Sequence, residues 1–139
     1  MLVQAILKSK ATDGVQTVAP DVTVSEASKI LAEKRIGTVV VSEDGGKTAS
    51  GILSERDIVR ELAASGSGCL SQPVKAYMTS DLVTATRQDS VQDVLSRMTE
   101  GRFRHMPVVE DGQLIGSVTL GDVVKAQLSE LAMEKEALQ

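Results

Sequence analysis

Hydrophobic positions fall into helical stripes and short apolar runs, and each type occurs twice. Val24, Ala27, Ile30 and Leu31 recur at helical spacing, while Glu26, Lys29, Glu33 and Lys34 take the other side, which predicts an amphipathic helix. Val91, Val94, Leu95 and Met98 form a second such stripe. Each opens on a capping signature, Thr23-Val24-Ser25-Glu26 or Ser90-Val91-Gln92-Asp93, whose hydroxyl can satisfy an orphan backbone N–H. After each helix comes a nearly continuous apolar run, Gly37–Val41 or His105–Val109, of the kind that makes a strand buried on both faces. Glycine-bearing turns follow, Glu43-Asp44-Gly45-Gly46 and Glu110-Asp111-Gly112, and predict hairpins.

The two sets stay in register. Position 24 maps onto 91, 27 onto 94 and 35 onto 102, a constant spacing of 67. Ahead of the helices, Thr17-Val18-Ala19-Pro20 reads as a brief strand stopped by proline, with Thr84-Ala85-Thr86 as its counterpart. Earlier still, Val3–Leu7 is echoed by Val74–Met78 at a spacing of 71. The polar stretch from Lys8 to Gly14 reads as a loop, and Ala63 to Pro73, with Gly66, Gly68 and Cys69, as an exposed linker. These signals predict an α+β fold with α/β character, built from two β-α-β-β-α repeats over residues 1–66 and 67–139. The second repeat ends in an extended C-terminal helix, with Val124, Leu128, Leu131 and Leu138 on one stripe. Its far end, Leu131 to Leu138, is expected either to contact another subunit or to fray.

Composition narrows the classes of function. The 139 residues, 42% hydrophobic and 24% charged, suit one compact domain or two small repeats sharing a core. Tyr77 and Phe103 are the only aromatic residues, so the core is aliphatic and a stacking platform for single-stranded nucleic acid is not expected. A net charge of −4 also disfavours nucleic-acid backbones, although Arg97, Arg102, Arg104 and His105 form a local basic cluster suited to an anion. One cysteine and one histidine leave neither a disulfide framework nor a zinc site. There is no bilayer-spanning apolar run and no signal-peptide pattern, which makes the cytoplasm the expected address. Without a phosphate-loop motif or a paired nucleophile, no enzyme and no catalytic cofactor are expected.

One phrase closes each repeat: Gly51-Ile52-Leu53-Ser54-Glu55-Arg56-Asp57 and Gly116-Ser117-Val118-Thr119-Leu120-Gly121-Asp122. Each reads as a strand end, a hydroxyl and an acid three residues on. Apolar positions at helical spacing follow, Ile58, Val59 and Leu62, then Val123, Val124 and Leu128. Taken singly, either phrase is a helix cap. As a matched pair within a repeat, the phrases resemble those of a tandem cystathionine-β-synthase-type (CBS) domain pair, the Bateman module. Tyr77-Met78-Thr79 and Arg102-Phe103-Arg104-His105-Met106-Pro107-Val108 carry the resemblance further, to small stand-alone bacterial CBS-pair proteins.

The resemblance implies a regulatory module whose repeats pack with pseudo-twofold symmetry, whose clefts take AMP, ADP, ATP or NAD, and which forms a homodimer acting on an unknown partner protein. A ligand-independent dimerisation or scaffold module is the alternative. An adenosine nucleotide needs acceptors for its ribose diol, donors for phosphate and an apolar slot for the base. Asp57 and Asp122 can accept from ribose hydroxyls, while Ser54 and Thr119, with the helix N-termini behind them, can donate to phosphate. Arg104 and His105 stand where the first repeat has Gly37 and Thr38, which favours the second copy as the anion site. His105 can equally be a packed strand residue. The backbone of Val39 or Met106 and the side chain of Pro107 are expected to border adenine, with Thr17, Val18, Val83 and Thr84 closing the cleft by analogy with the family. Gly121 replaces Arg56, so the two sites are not equivalent. The stretch from Lys8 to Gly14 lacks the family's Lys-Gly pairing, and no contact is assigned to Lys10.

Overall fold

The computed structural model describes residues 1–10 and 15–138. Its elements run α1 (Val3–Ser9), β1 (Thr17–Val18), α2 (Val24–Lys34), β2 (Thr38–Val41), β3 (Gly51–Ser54), α3 (Glu55–Ser65), α4 (Val91–Gly101), β4 (His105–Glu110), β5 (Gln113–Thr119) and α5 (Leu120–Leu138). Short 3₁₀ turns at Ser67–Ser71 and Val74–Ala76 lie between α3 and α4. The chain folds into two compact units, one of Val15–Leu82 and one of Met1–Gly14 with Val83–Gln139.

In the first unit, β1 pairs parallel to β2 and β2 antiparallel to β3, giving the expected β-α-β-β-α order. α2 starts where the Thr23 hydroxyl accepts from the Glu26 N–H at 3.2 Å, and it buries Val24, Ala27 and Leu31. It stops at Arg35, which turns left-handed at φ 53° so that the Ile36 N–H reaches the Leu31 carbonyl at 3.1 Å. Val39, Val40 and Val41 are all buried, as a strand covered on both faces requires.

The second unit repeats these devices. Ser90 caps α4 through the Asp93 N–H at 3.0 Å, Val91, Val94 and Met98 are buried, and Arg102 ends the helix at φ 57°. β4 and β5 form a hairpin whose tip, Asp111-Gly112, has both φ angles positive, at 51° and 78°. The strand expected at Thr84–Thr86 is reduced to a single parallel bridge between Ala85 and Val108. The adjoining carbonyl of Thr84 and N–H of Thr86 are instead bonded to the side chains of Arg97 and Asp89.

The sequence repeat and the packing units divide the chain differently, because each opening segment leaves the repeat that follows it. α1 packs in the unit of the second repeat, where its Val3 and Ile6 join Val91, Met98 and Val118 in one core. Its echo, Val74–Met78, packs in the unit of the first, where Val74 is fully buried beside Leu53 and Val24. Both crossings depend on a glycine. A Cβ on Gly116 would stand 2.7 Å from Leu7 Cδ2, and one on Gly51 would stand 2.5 Å from Met78 Sδ. Leu7 and Met78 are themselves 71 positions apart, the spacing of the echo.

Three local expectations change. Lys8 and Ser9 close α1 instead of opening a loop, Ser9 Oγ donating to the Ile6 carbonyl at 2.9 Å; residues 11–14 of that predicted loop lie outside the described residues. The stretch from Ala63 to Pro73 is not a bare linker: Ala63 to Ser65 finish α3, Cys69 is buried, and the Gln72 carbonyl accepts from the Val24 N–H at 2.9 Å. Finally, Ile58 and Val123 face the cores, whereas Val59, Leu62, Val124 and Leu128 are exposed.

Candidate functional site

The two matched phrases form two matched strand-to-helix edges, one in each unit. At the first, the Ser54 hydroxyl accepts from the Asp57 N–H at 3.1 Å and the Ser54 N–H donates to Asp57 Oδ2 at 2.9 Å. At the second, Thr119 and Asp122 exchange the same two bonds, each 3.0 Å long. Both are complete capping boxes, so the capping role read from the sequence holds. Each helix entry is also tied to the neighbouring strand's start: Glu55 N–H donates to the Gly37 carbonyl at 2.9 Å, and Leu120 N–H to that of Arg104 at 2.8 Å. In register, Ser54 stands opposite Thr38 and Thr119 opposite His105. The correspondence of Arg104 and His105 with Gly37 and Thr38, inferred from spacing, is therefore a backbone equivalence.

The edges differ in their cations. Lys10 Nζ lies 2.9 Å from Asp122 Oδ2 and donates also to the Ser117 carbonyl at 2.9 Å, on β5 of the two-stranded sheet. Burial raises the Asp122 carboxyl's affinity for protons, but the Thr119 N–H, the bond and charge of Lys10 and the Thr119 hydroxyl outweigh it. The group is held below the ordinary carboxylate range. The bonds from Lys10 and the Thr119 N–H both go to Oδ2; none from the described residues goes to Asp122 Oδ1. Among the described residues, the cation paired with Asp57 is Arg60 at 3.8 Å, on a side chain that is 76% exposed.

The remaining predicted residues separate by depth. Arg104 is exposed and His105 half-buried at the head of β4. Val39, Met106 and Pro107 are buried in strands, so Val39 and Met106 can offer a ligand their backbone but not their side chains. Thr17 and Val18 pair with Val40 and Val41, on the side of β2 away from β3. Val83 is exposed and Thr84 half-buried; the Thr84 carbonyl is gripped by Arg97 Nη1 at 2.8 Å. Arg97 also pairs with Asp89 at 2.9 Å, so this member of the predicted basic cluster is committed internally. Sequence reasoning assigned no contact to Lys10 and no partner to Arg97. Lys10 is 112 positions from its carboxylate, and no pattern in one sequence links residues that far apart. Arg97 stands where the first repeat has Ile30, a break in the apolar stripe that marks it out.

The repetition seen in the geometry has a counterpart among known proteins. A family model for the CBS domain matches residues 5–64 and again 74–129. The chain belongs to the CBS-domain family. This CBS pair is similar to a CBS-domain containing protein from Agrobacterium tumefaciens, with 40% identity and a TM-score of 0.86 over 91% of this chain and 99% of that one. It is also similar to a CBS domain protein from Pyrobaculum aerophilum complexed with AMP, with 27% identity and a TM-score of 0.81 over 96% and 99% of the two chains. The CBS domain pair of protein MJ0100, in complex with 5′-methylthioadenosine and S-adenosyl-L-methionine, is 25% identical, with a TM-score of 0.78 over 91% of this chain and 98% of that one. Among the described residues of this CBS pair, no helix is long and apolar enough to cross a membrane, and no group of three or more His, Cys, Asp or Glu side chains could hold a metal ion.

Proposed function

We propose that this CBS pair is a regulatory module that binds an adenosine-containing ligand, with Thr119 and Asp122 as its principal ribose and phosphate contacts and Ser54 and Asp57 as a second, weaker pair. The observation that carries this reading is the state of Asp122. Its Oδ2 is held by the Thr119 N–H and Lys10, while Oδ1 takes no bond from the described residues at the head of a 19-residue helix. An ionised carboxylate so oriented accepts a ribose hydroxyl, and the helix N-terminus with the exposed Arg104 favours a phosphate nearby. The relatives crystallised with AMP and with S-adenosyl-L-methionine support the ligand class. AMP, ADP, ATP and NAD are the ligands to test first. Binding regulates a partner only if the ligand prefers one shape of the module, because equal affinity for two shapes shifts nothing.

Calorimetric titration with each nucleotide tests the proposal, using the wild type and Asp122→Ala. Wild-type binding that the variant loses, with the fold retained, is the expected outcome. The absence of binding by folded wild type at millimolar ligand would end the proposal.

A ligand-independent dimerisation module is the second reading, favoured by one observation. Val124, Leu128 and Leu131 follow one another at helical spacing along α5, and all are at least 41% exposed. A second copy of this chain is the proposed occupant of that face, consistent with the homodimer the family resemblance implies. Leu138, whose side chain lies outside the described residues, is not needed for it. On this reading Asp122→Ala costs about 0.5–2 kcal/mol as a lost cap and changes no binding property.

A further inference from the structure

We infer that Lys10 is a specificity-determining residue of the second-repeat site: by neutralising and orienting Asp122 it makes that site select adenosine ligands carrying a phosphate over those without one. The inference rests on the reading that Asp122 receives the ribose. An aspartate alone at the mouth of a nucleotide site repels the phosphate it must lie close to. Here a single ammonium answers that difficulty in two ways. Its bond goes to Oδ2 and not to Oδ1, the oxygen assigned to the ligand, and its charge cancels that of the carboxylate, so Arg104 and the positive end of α5 remain as a net positive field. Both partners are mostly covered, with side chains 28% and 26% exposed, so solvent screens the pair less than it screens a surface bridge.

The ammonium is also fixed in place. Its second bond, to the Ser117 carbonyl, anchors it to the strand that delivers Thr119. Lys10 follows directly on α1, and Leu7 of that helix sits against Gly116, the residue before Ser117. A lysine donates three hydrogen bonds, and the described residues take two of them. Among the described residues the first edge shows no such group: the cation paired with Asp57 is the largely exposed Arg60 at 3.8 Å. A carboxylate compensated only by that exposed, more distant guanidinium tolerates a neutral or cationic adenosine derivative better than a phosphate, so the two edges differ in the ligand charge they accept.

The test compares affinities for AMP and for adenosine, measured by calorimetry on the full chain for wild type, Lys10→Met and Lys10→Arg. Wild type is expected to prefer AMP by about tenfold or more, the size of one charge-assisted interaction. Lys10→Met should reduce that preference about tenfold while adenosine binding changes less, and Lys10→Arg should restore most of it. A merely structural role would weaken both ligands alike and leave their ratio unmoved. If Lys10→Met does not fold, Lys10→Gln, which keeps a donor and removes the charge, carries the same comparison. Wild-type binding of AMP with an unchanged ratio in the charge-removing variant overturns this inference and leaves the proposed function standing. Failure of wild type to bind either ligand overturns both.

Discussion

Met78 occupies the space that a side chain on Gly51 would need: its Sδ lies 2.5 Å from the position of a Cβ there, and the Thr79 carbonyl lies 3.0 Å away. The glycine that opens the first functional phrase thus admits a segment from beyond the α3 turn. Gly116 admits Leu7 in the same way, at 2.7 Å. The sites and the crossing of the opening segments depend on the same residues.

The two glycines should respond differently to a methyl group. At Gly116 the obstacle is the end of the Leu7 side chain, which can move. At Gly51 it includes the Thr79 backbone, held by a reciprocal pair of bonds to Ile52 at 2.9 and 2.8 Å. Gly51→Ala is expected to lose about 2–3 kcal/mol and Gly116→Ala about 1–2, both within the range for overpacked sites. Urea denaturation of the two variants checks the order.

Acid should weaken the second unit through Asp122. Its folded-state pKa is lowered, by the Thr119 and Lys10 interactions acting against burial. The stability it contributes is fully present above the unfolded carboxylate value of about 3.9 and is lost as pH falls through the lower folded value. Asp89, held below the ordinary range by Thr86 and Arg97 against its own desolvation, acts in the same direction. Between pH 6 and pH 3 the urea midpoint of wild type is therefore expected to fall more steeply than that of Asp122→Asn. Parallel curves would refute the assignment.

Arg97 anchors Thr84 without being replaceable by the residue at the matching position. Arg97→Ile, which copies Ile30 of the first repeat, leaves the Thr84 carbonyl and Asp89 without their guanidinium. Because both side chains are about a third exposed, the expected loss is modest, about 0.5–1.5 kcal/mol. Hydrogen exchange should rise selectively at the Ala85 and Thr86 amides, and unchanged protection there would mean the clamp is incidental.

The α5 stripe makes a separate prediction about assembly. Leu128, 62% exposed, lies between Val124 and Leu131, so Leu128→Glu puts a charge in the middle of the apolar face. Light scattering is expected to find wild type at twice the chain mass and the variant at the chain mass, with helical circular dichroism unchanged. A wild type monomeric at tens of micromolar would remove the second copy from this face.

Local chemistry was legible without the fold. Helix α2 lies where Val24, Ala27 and Leu31 and the Thr23 cap place it, and α4 where Val91, Val94 and Met98 do, because stripes and caps are properties of neighbouring residues. The hydroxyl-to-carboxylate phrases were legible for the same reason, three residues being within one helical turn. Only the tertiary structure could reveal which opening segment packs with which repeat, that Ala85 forms a bridge and not a strand, and that Lys10 reaches Asp122. Each of these joins groups distant along the chain, and the choice of partner depends on shape: the missing Cβ atoms at Gly51 and Gly116, and the anchoring carbonyl of Ser117.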